Sequence, residues 1–112
     1  MNNNNANRIT MIRGLNEDAV VAHGSAYATA SAGTPAVACA IGLDSTTTAS
    51  GLIGNRVIGS TLNQLHASYM GVPGLGLHFL QALELGAANV TFYGDNAAPT
   101  TTQAGIQVSA TY

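Results

Sequence analysis

Residues 35–44 read Pro-Ala-Val-Ala-Cys-Ala-Ile-Gly-Leu-Asp, and this run constrains the chain more than any other. Val37, Cys39, Ile41 and Leu43 alternate with Ala36, Ala38, Ala40 and Gly42, so both faces are apolar and one is built only of small residues. Successive side chains of a strand point to opposite faces. A short apolar run bounded by Pro and Asp therefore reads as a strand covered on both sides, its small face pressed closely by a neighbouring sheet or subunit.

The rest of the chain follows the same short-segment rhythm. Arg8-Ile9-Thr10-Met11-Ile12-Arg13 has strand content and is ended by Gly14 and the acidic turn Asn16-Glu17-Asp18. Residues 19–29 are β-compatible and end at the turn Ala30-Ser31-Ala32-Gly33-Thr34. Residues 44–55 form a polar loop, and residues 56–59 and 65–70 read as two strands or one broken strand. Residues 75–85 satisfy two periods at once. Leu77, Leu80 and Glu84 have helical spacing, while Leu77, Phe79, Gln81, Leu83 and Leu85 alternate as a strand. Residues 89–93 are β-rich, Gly94-Asp95-Asn96 is a turn, and Ile106, Val108, Ala110 and Tyr112 alternate with polar neighbours to the last residue. Many short strands separated by turns, without heptads or internal repeats, predict an antiparallel sandwich or barrel.

Composition narrows the function. A chain of 112 residues is one domain's worth. Only 7% of it is charged, with three Lys+Arg (Arg8, Arg13 and Arg56) and five Asp+Glu. No basic patch can neutralise a row of phosphates, which excludes electrostatic nucleic-acid binding. Three His and five carboxylates leave few groups for acid–base chemistry, so an enzyme is disfavoured. No apolar run approaches the roughly 20 residues of a spanning helix, and the Asn-rich start lacks a secretory signal's basic and apolar regions. The expectation is a soluble, non-exported chain. The single Cys39 provides neither an internal disulfide nor a cysteine metal site. A small domain this poor in charge is expected to cover part of its surface with other subunits.

The block Tyr69-Met70-Gly71-Val72-Pro73-Gly74-Leu75-Gly76-Leu77-His78-Phe79-Leu80-Gln81-Ala82-Leu83-Glu84, with Thr91-Phe92-Tyr93-Gly94-Asp95-Asn96 and Gln103-Ala104-Gly105-Ile106, resembles a small β-rich domain of virion structural proteins of tailed bacteriophages. Ile41-Gly42-Leu43-Asp44-Ser45-Thr46-Thr47 is similar to an earlier strand and turn of that domain. The resemblance covers about the last two thirds of the chain. It implies an all-β, jelly-roll-like antiparallel β-sandwich that assembles as a trimer on the particle exterior, on the capsid or at a fibre end. It favours the strand reading of residues 77–85, and it brings no catalytic residue with it.

The expected organisation is an extended N-terminal docking arm over residues 1–13 and a single β-sandwich over residues 14–112. In the arm, the backbone around Asn5 and Asn7 supplies hydrogen bonds, Ile9, Met11 and Ile12 supply apolar anchors, and Arg8 and Arg13 supply charge. His78, Phe79, Gln81, Leu83, Glu84 and Tyr93 are the expected subunit-interface or scaffold residues. His78 and Glu84 share a strand face, where a backbone-satisfied His and a solvent-facing Glu are simpler than an acid–base pair. His23 and His66 can meet each other or His78 only through the fold. Tyr93, Asp95 and Asn96 make a candidate carbohydrate-contacting loop, although a hairpin turn explains the same residues. Cys39 reads as a small core hydrophobe. No catalytic residue, cofactor, metal or membrane is expected. The expected role is a non-enzymatic capsid decoration or cement protein on the virion exterior, bound to the major capsid protein or to a tail or fibre protein. The alternative is a fibre or spike tip that binds a host-surface glycan through residues 46–54 or 93–102.

Overall fold

The computed structural model describes residues 7–14, 18–93 and 104–110. Within them run eight strands: β1 (Arg8–Arg13), β2 (Val20–Ala30), β3 (Ala36–Leu43), β4 (Gly54–Val57), β5 (Asn63–Gly71), β6 (Gly76–Leu85), β7 (Val90–Tyr93) and β8 (Gly105–Ser109). All pairings are antiparallel. The first sheet has the order β1-β6-β3-β4. In the second, β5 lies on one side of β2, and the other side is shared by β8 along Val21 to Ser25 and β7 along Tyr27 to Ala30. The two sheets face each other as a β-sandwich, with β5 against β3 and β4, and β8 against β1 and β6.

Period-two burial is clearest in β2, where Val20, Ala22, Ala26, Ala28 and Ala30 point inward and Val21, His23, Ser25, Tyr27 and Thr29 point outward. The inward face of β2 is thin, and the larger side chains opposite fill the space. A Cβ on Gly24 would touch the Ile41 side chain at 3.5 Å. Met11, Val37, Ile41, Ile58, Leu65, Tyr69 and Leu80 complete the core. Burying one such side chain contributes roughly 1.5–3 kcal/mol and an alanine far less, so stability rests on these few residues.

Gly51 and Gly54 close one side of the sandwich. A Cβ on either would overlap backbone of β5, the Ser68 carbonyl for Gly51 and the His66 carbonyl for Gly54. The close approach lets Leu52 and Ser68 exchange backbone hydrogen bonds, Leu52 N–H to Ser68 at 2.8 Å and Ser68 N–H to Leu52 at 3.3 Å.

Residues 75–85 adopt the strand alternative. The small face of β3 turns outward, away from the second sheet, yet Ala38, Ala40 and Gly42 are buried. Over Gly42 the cover is the chain's own following loop, since a Cβ there would meet the Ser45 and Thr48 carbonyls.

One boundary differs from expectation. Residues 8–13 are a strand of the sandwich, paired with β6 from Arg8 opposite Gln81 to Arg13 opposite Gly76. Met11 is 4% exposed and Arg13 3%. The physical reason is alternation. Ile9 and Met11 share one side of β1, Met11 joins the core, and β6 has an edge for β1 to pair with. Met11 and Arg13 are therefore not available as docking anchors, whereas Ile12 points outward and is 70% exposed. The sandwich thus begins at Arg8 rather than Gly14. Asn5 and the rest of residues 1–6 lie outside the described residues.

Candidate functional site

The expected interface residues of β6 divide between its two faces. Phe79, Gln81 and Leu83 point outward; His78 and Glu84 share the inward side with Leu80 and Ala82. Gln81 is fully buried. Its Oε1 accepts a hydrogen bond from Arg8 Nε at 2.9 Å, and its Nε2 donates to the carbonyls of Ala82 at 3.0 Å and Asn7 at 3.4 Å. The Arg8 guanidinium also sits over the Phe79 ring, 4.2 Å from its centre. Arg8, Phe79 and Gln81 thus brace β1 against β6 inside one chain. Leu83 is likewise fully buried. Large exposed apolar residues on this strand are instead Leu77 and Leu85 at its ends.

His78 and Glu84 stand six positions apart on one strand, roughly 20 Å at the rise of extended chain. They form no acid–base pair. The partner of His78 is Asp44, the residue that ends β3, with Nδ1 and Oδ2 separated by 2.7 Å. Asp44 has a left-handed backbone (φ 51°), a conformation that Asp tolerates better than most residues. Its N–H donates to the Phe79 carbonyl at 2.9 Å, and its Oδ1 accepts the Phe79 N–H at 2.9 Å. Burial raises the Asp44 pKa, but the hydrogen bonds from His78 and the Phe79 N–H outweigh it and hold the carboxyl below its ordinary value. His78 Nε2 is buried and has no hydrogen-bond partner among the described residues. An imidazole oriented by a carboxylate is half of a nucleophilic triad. Among the described residues no hydroxyl or thiol is bonded to Nε2, and the hydrogen bonds of Asp44 latch the end of β3 to β6.

Other polar groups near the core behave structurally. Burial first, and then the Glu84 charge on the neighbouring strand, push the Cys39 thiol up to about 11, which makes it a core hydrophobe rather than a nucleophile. Burial, and then the Asp44 charge, also raise the Tyr69 pKa.

The outer face of the second sheet is different in kind. Register places Met70, Val21 and Ser109 in one row, Ser68, His23 and Gln107 in the next, then His66, Ser25 and Gly105, then Gln64, Tyr27 and Tyr93. A groove of about 460 Å³ runs along this face, lined by His23, Tyr27, Gln64, His66 and Gln107 among others. Tyr27 lies directly opposite Tyr93, whose hydroxyl is 3.2 Å from Thr29 Oγ1. Among the described residues no carboxylate, Lys or Arg lines the groove. Two imidazoles alone fall short of the three or four protein ligands of a stable metal site, and among the described residues no group of three His, Cys, Asp or Glu is assembled.

The fold thus brings His23 and His66 to one groove and leaves His78 on the other sheet. Of the candidate ligand loop, Tyr93 ends β7 beside the groove, while Asp95 and Asn96 lie outside the described residues. Sequence reading did not find Tyr27, Gln64 and Gln107 as partners. The only available signal was their odd-numbered or even-numbered place on separate strands, which gains meaning once the strands are paired. Comparison with protein-family models, with curated proteins and with solved structures finds no match for the chain.

Proposed function

We propose that the protein is a non-enzymatic structural subunit of a bacteriophage virion, a trimeric capsid decoration or cement protein on the particle exterior. The resemblance of residues 69–84, 91–96 and 103–106 supports the virion setting and the trimer. The observation that carries assembly is apolar surface at one end of the sandwich. Ile12 and Leu77 lie directly opposite each other on β1 and β6 and are 70% and 69% exposed. Met70, Val72 and Leu75, in and beside the connection from β5 to β6, are exposed at the same end. An exposed apolar cluster of this kind marks an interaction surface, and each large side chain covered by a partner contributes roughly 1.5–3 kcal/mol before the costs of association.

Docking to the larger particle falls to the asparagine-rich segment ahead of β1. The test deletes residues 1–6, which leaves β1 whole; a deletion through residue 13 would remove part of the core. The shortened chain should stay folded and trimeric while losing attachment to the particle, and retained attachment would contradict the docking role. Native mass spectrometry of the full chain should give a trimer at micromolar concentration. Replacing both Ile12 and Leu77 with Ser should yield monomers with an unchanged circular dichroism spectrum. A wild-type monomer would remove the basis of the assembly argument. Mass spectrometry of purified particles should count hundreds of copies; a handful per particle would move the protein to a tail or fibre tip.

A further inference from the structure

We infer that the outer face of the second sheet is a binding site for a neutral, polyhydroxylated ligand, a segment of uncharged glycan lying in the groove between His23, Gln64, His66 and Gln107. The inference is independent of the virion reading, because it rests on the polar side chains of the groove and not on the apolar end of the sandwich.

The groove concentrates residue types that the chain otherwise uses sparingly. Two of its three His, His23 and His66, line it together with Tyr27, and Tyr93 stands opposite Tyr27 beside the groove. Amide and imidazole side chains each offer both donor and acceptor atoms, which is what a sugar hydroxyl needs because it donates and accepts at once. The Tyr pair adds an aromatic surface for the apolar face of a pyranose ring, and the bond of Tyr93 to Thr29 holds one ring in place. His23, Gln64, His66 and Gln107 are all solvent-exposed, so a ligand reaches them without the core opening.

The described lining of the groove holds no Arg or Lys, which weighs against an anionic ligand. A sulfated or sialylated glycan would bring an anion to that lining, whereas a neutral sugar leaves no charge to be desolvated without a partner. A peptide strand is disfavoured, since the groove lies on the face of the sheet and β2 is paired along both edges there, by β5 and by β8 and β7.

The test is an array of neutral, sialylated and sulfated oligosaccharides probed with the full chain, followed by calorimetric titration of each sugar that binds. The expected result is binding confined to neutral sugars. His66→Ala and Gln107→Ala should each weaken it about tenfold, the size of one lost hydrogen bond to ligand, with unchanged thermal unfolding. Asn55→Ala, exposed on β4 of the other sheet, should bind as wild type. The inference is overturned by an array without binding, by binding confined to charged sugars, or by neutral-sugar binding that neither groove substitution weakens. None of those outcomes bears on the trimer or the particle, which are measured separately.

Discussion

The two outer faces of the sandwich are built on the same alternation and end in opposite chemistry. On the first sheet the central outward positions Ala38, Ala40, Gly42, Gln81 and Leu83 are buried, and the apolar residues that reach solvent, Ile12, Leu77, Val57 and Leu85, lie toward the strand ends. On the second sheet the outward positions His23, Gln64, His66 and Gln107 are open to water and polar, and Met70, beside Val21, is its exposed apolar end. The difference teaches that an outward-pointing residue is not thereby a surface residue. The first sheet behaves as a second, thin layer of packing closed by its own loop over Gly42, with exposed apolar side chains toward its strand ends. The second presents a floor of hydrogen-bonding groups.

The largest expected effect concerns the joint that holds the faces in register. Gly54→Ala would drive a Cβ into the His66 backbone. It should cost about 3 kcal/mol or more, the range of a backbone clash that the structure cannot relax. Gly59→Ala, with nothing within 4 Å of its new methyl, should change stability little. Urea denaturation of the two variants measures both, and equal midpoints would break the view that β4 is seated against β5 by glycine.

The next effect compares the faces themselves. Leu83→Ala, outward on the first sheet but fully buried, should cost about 2–5 kcal/mol as a large-to-small core change does. Gln107→Ala, outward on the second, should stay within about 0.5 kcal/mol of wild type. Similar losses for both would mean that the two outer faces are equally packed.

The smallest effect is electrostatic. The Asp44 carboxyl is held below its ordinary pKa in the folded state by His78 and the Phe79 N–H, after burial is offset. Its contribution is therefore fully present above the unfolded value of about 3.8 and is lost as pH falls through the lower folded value. Because Asp44 is 43% exposed, the contribution should be a few tenths of a kcal/mol, the size of a solvent-screened pair. Unfolding measured between pH 6 and pH 2 should show a shallower acid loss for Asp44→Asn than for wild type. Identical slopes would remove Asp44 from the latch.

Much of the fold was legible before any pairing was known. The alternation at 36–43 and from 106 onward, the turn at 30–34, and the strand content of 8–13 and 19–29 each depend on local spacing, and the strands β3, β8, β1 and β2 lie within a residue or so of those places. The role of residues 8–13 was not legible, because a six-residue strand reads the same whether it pairs within its own sheet or docks elsewhere. The free edge of β6 decided it. Nor was Asp44 legible as the partner of His78, since the two are brought together only where β3 ends beside β6.

The sequence by itself determined that this chain would be built of short antiparallel strands with little charge on any face, because side-chain alternation and turn chemistry act within a few residues. Tertiary structure decided which apolar face would be core, which outward residues would be buried, and that His23 and His66 would share a groove while His78 would not. Those outcomes depend on strand order and register, which bring together residues dozens of positions apart and which no local pattern encodes.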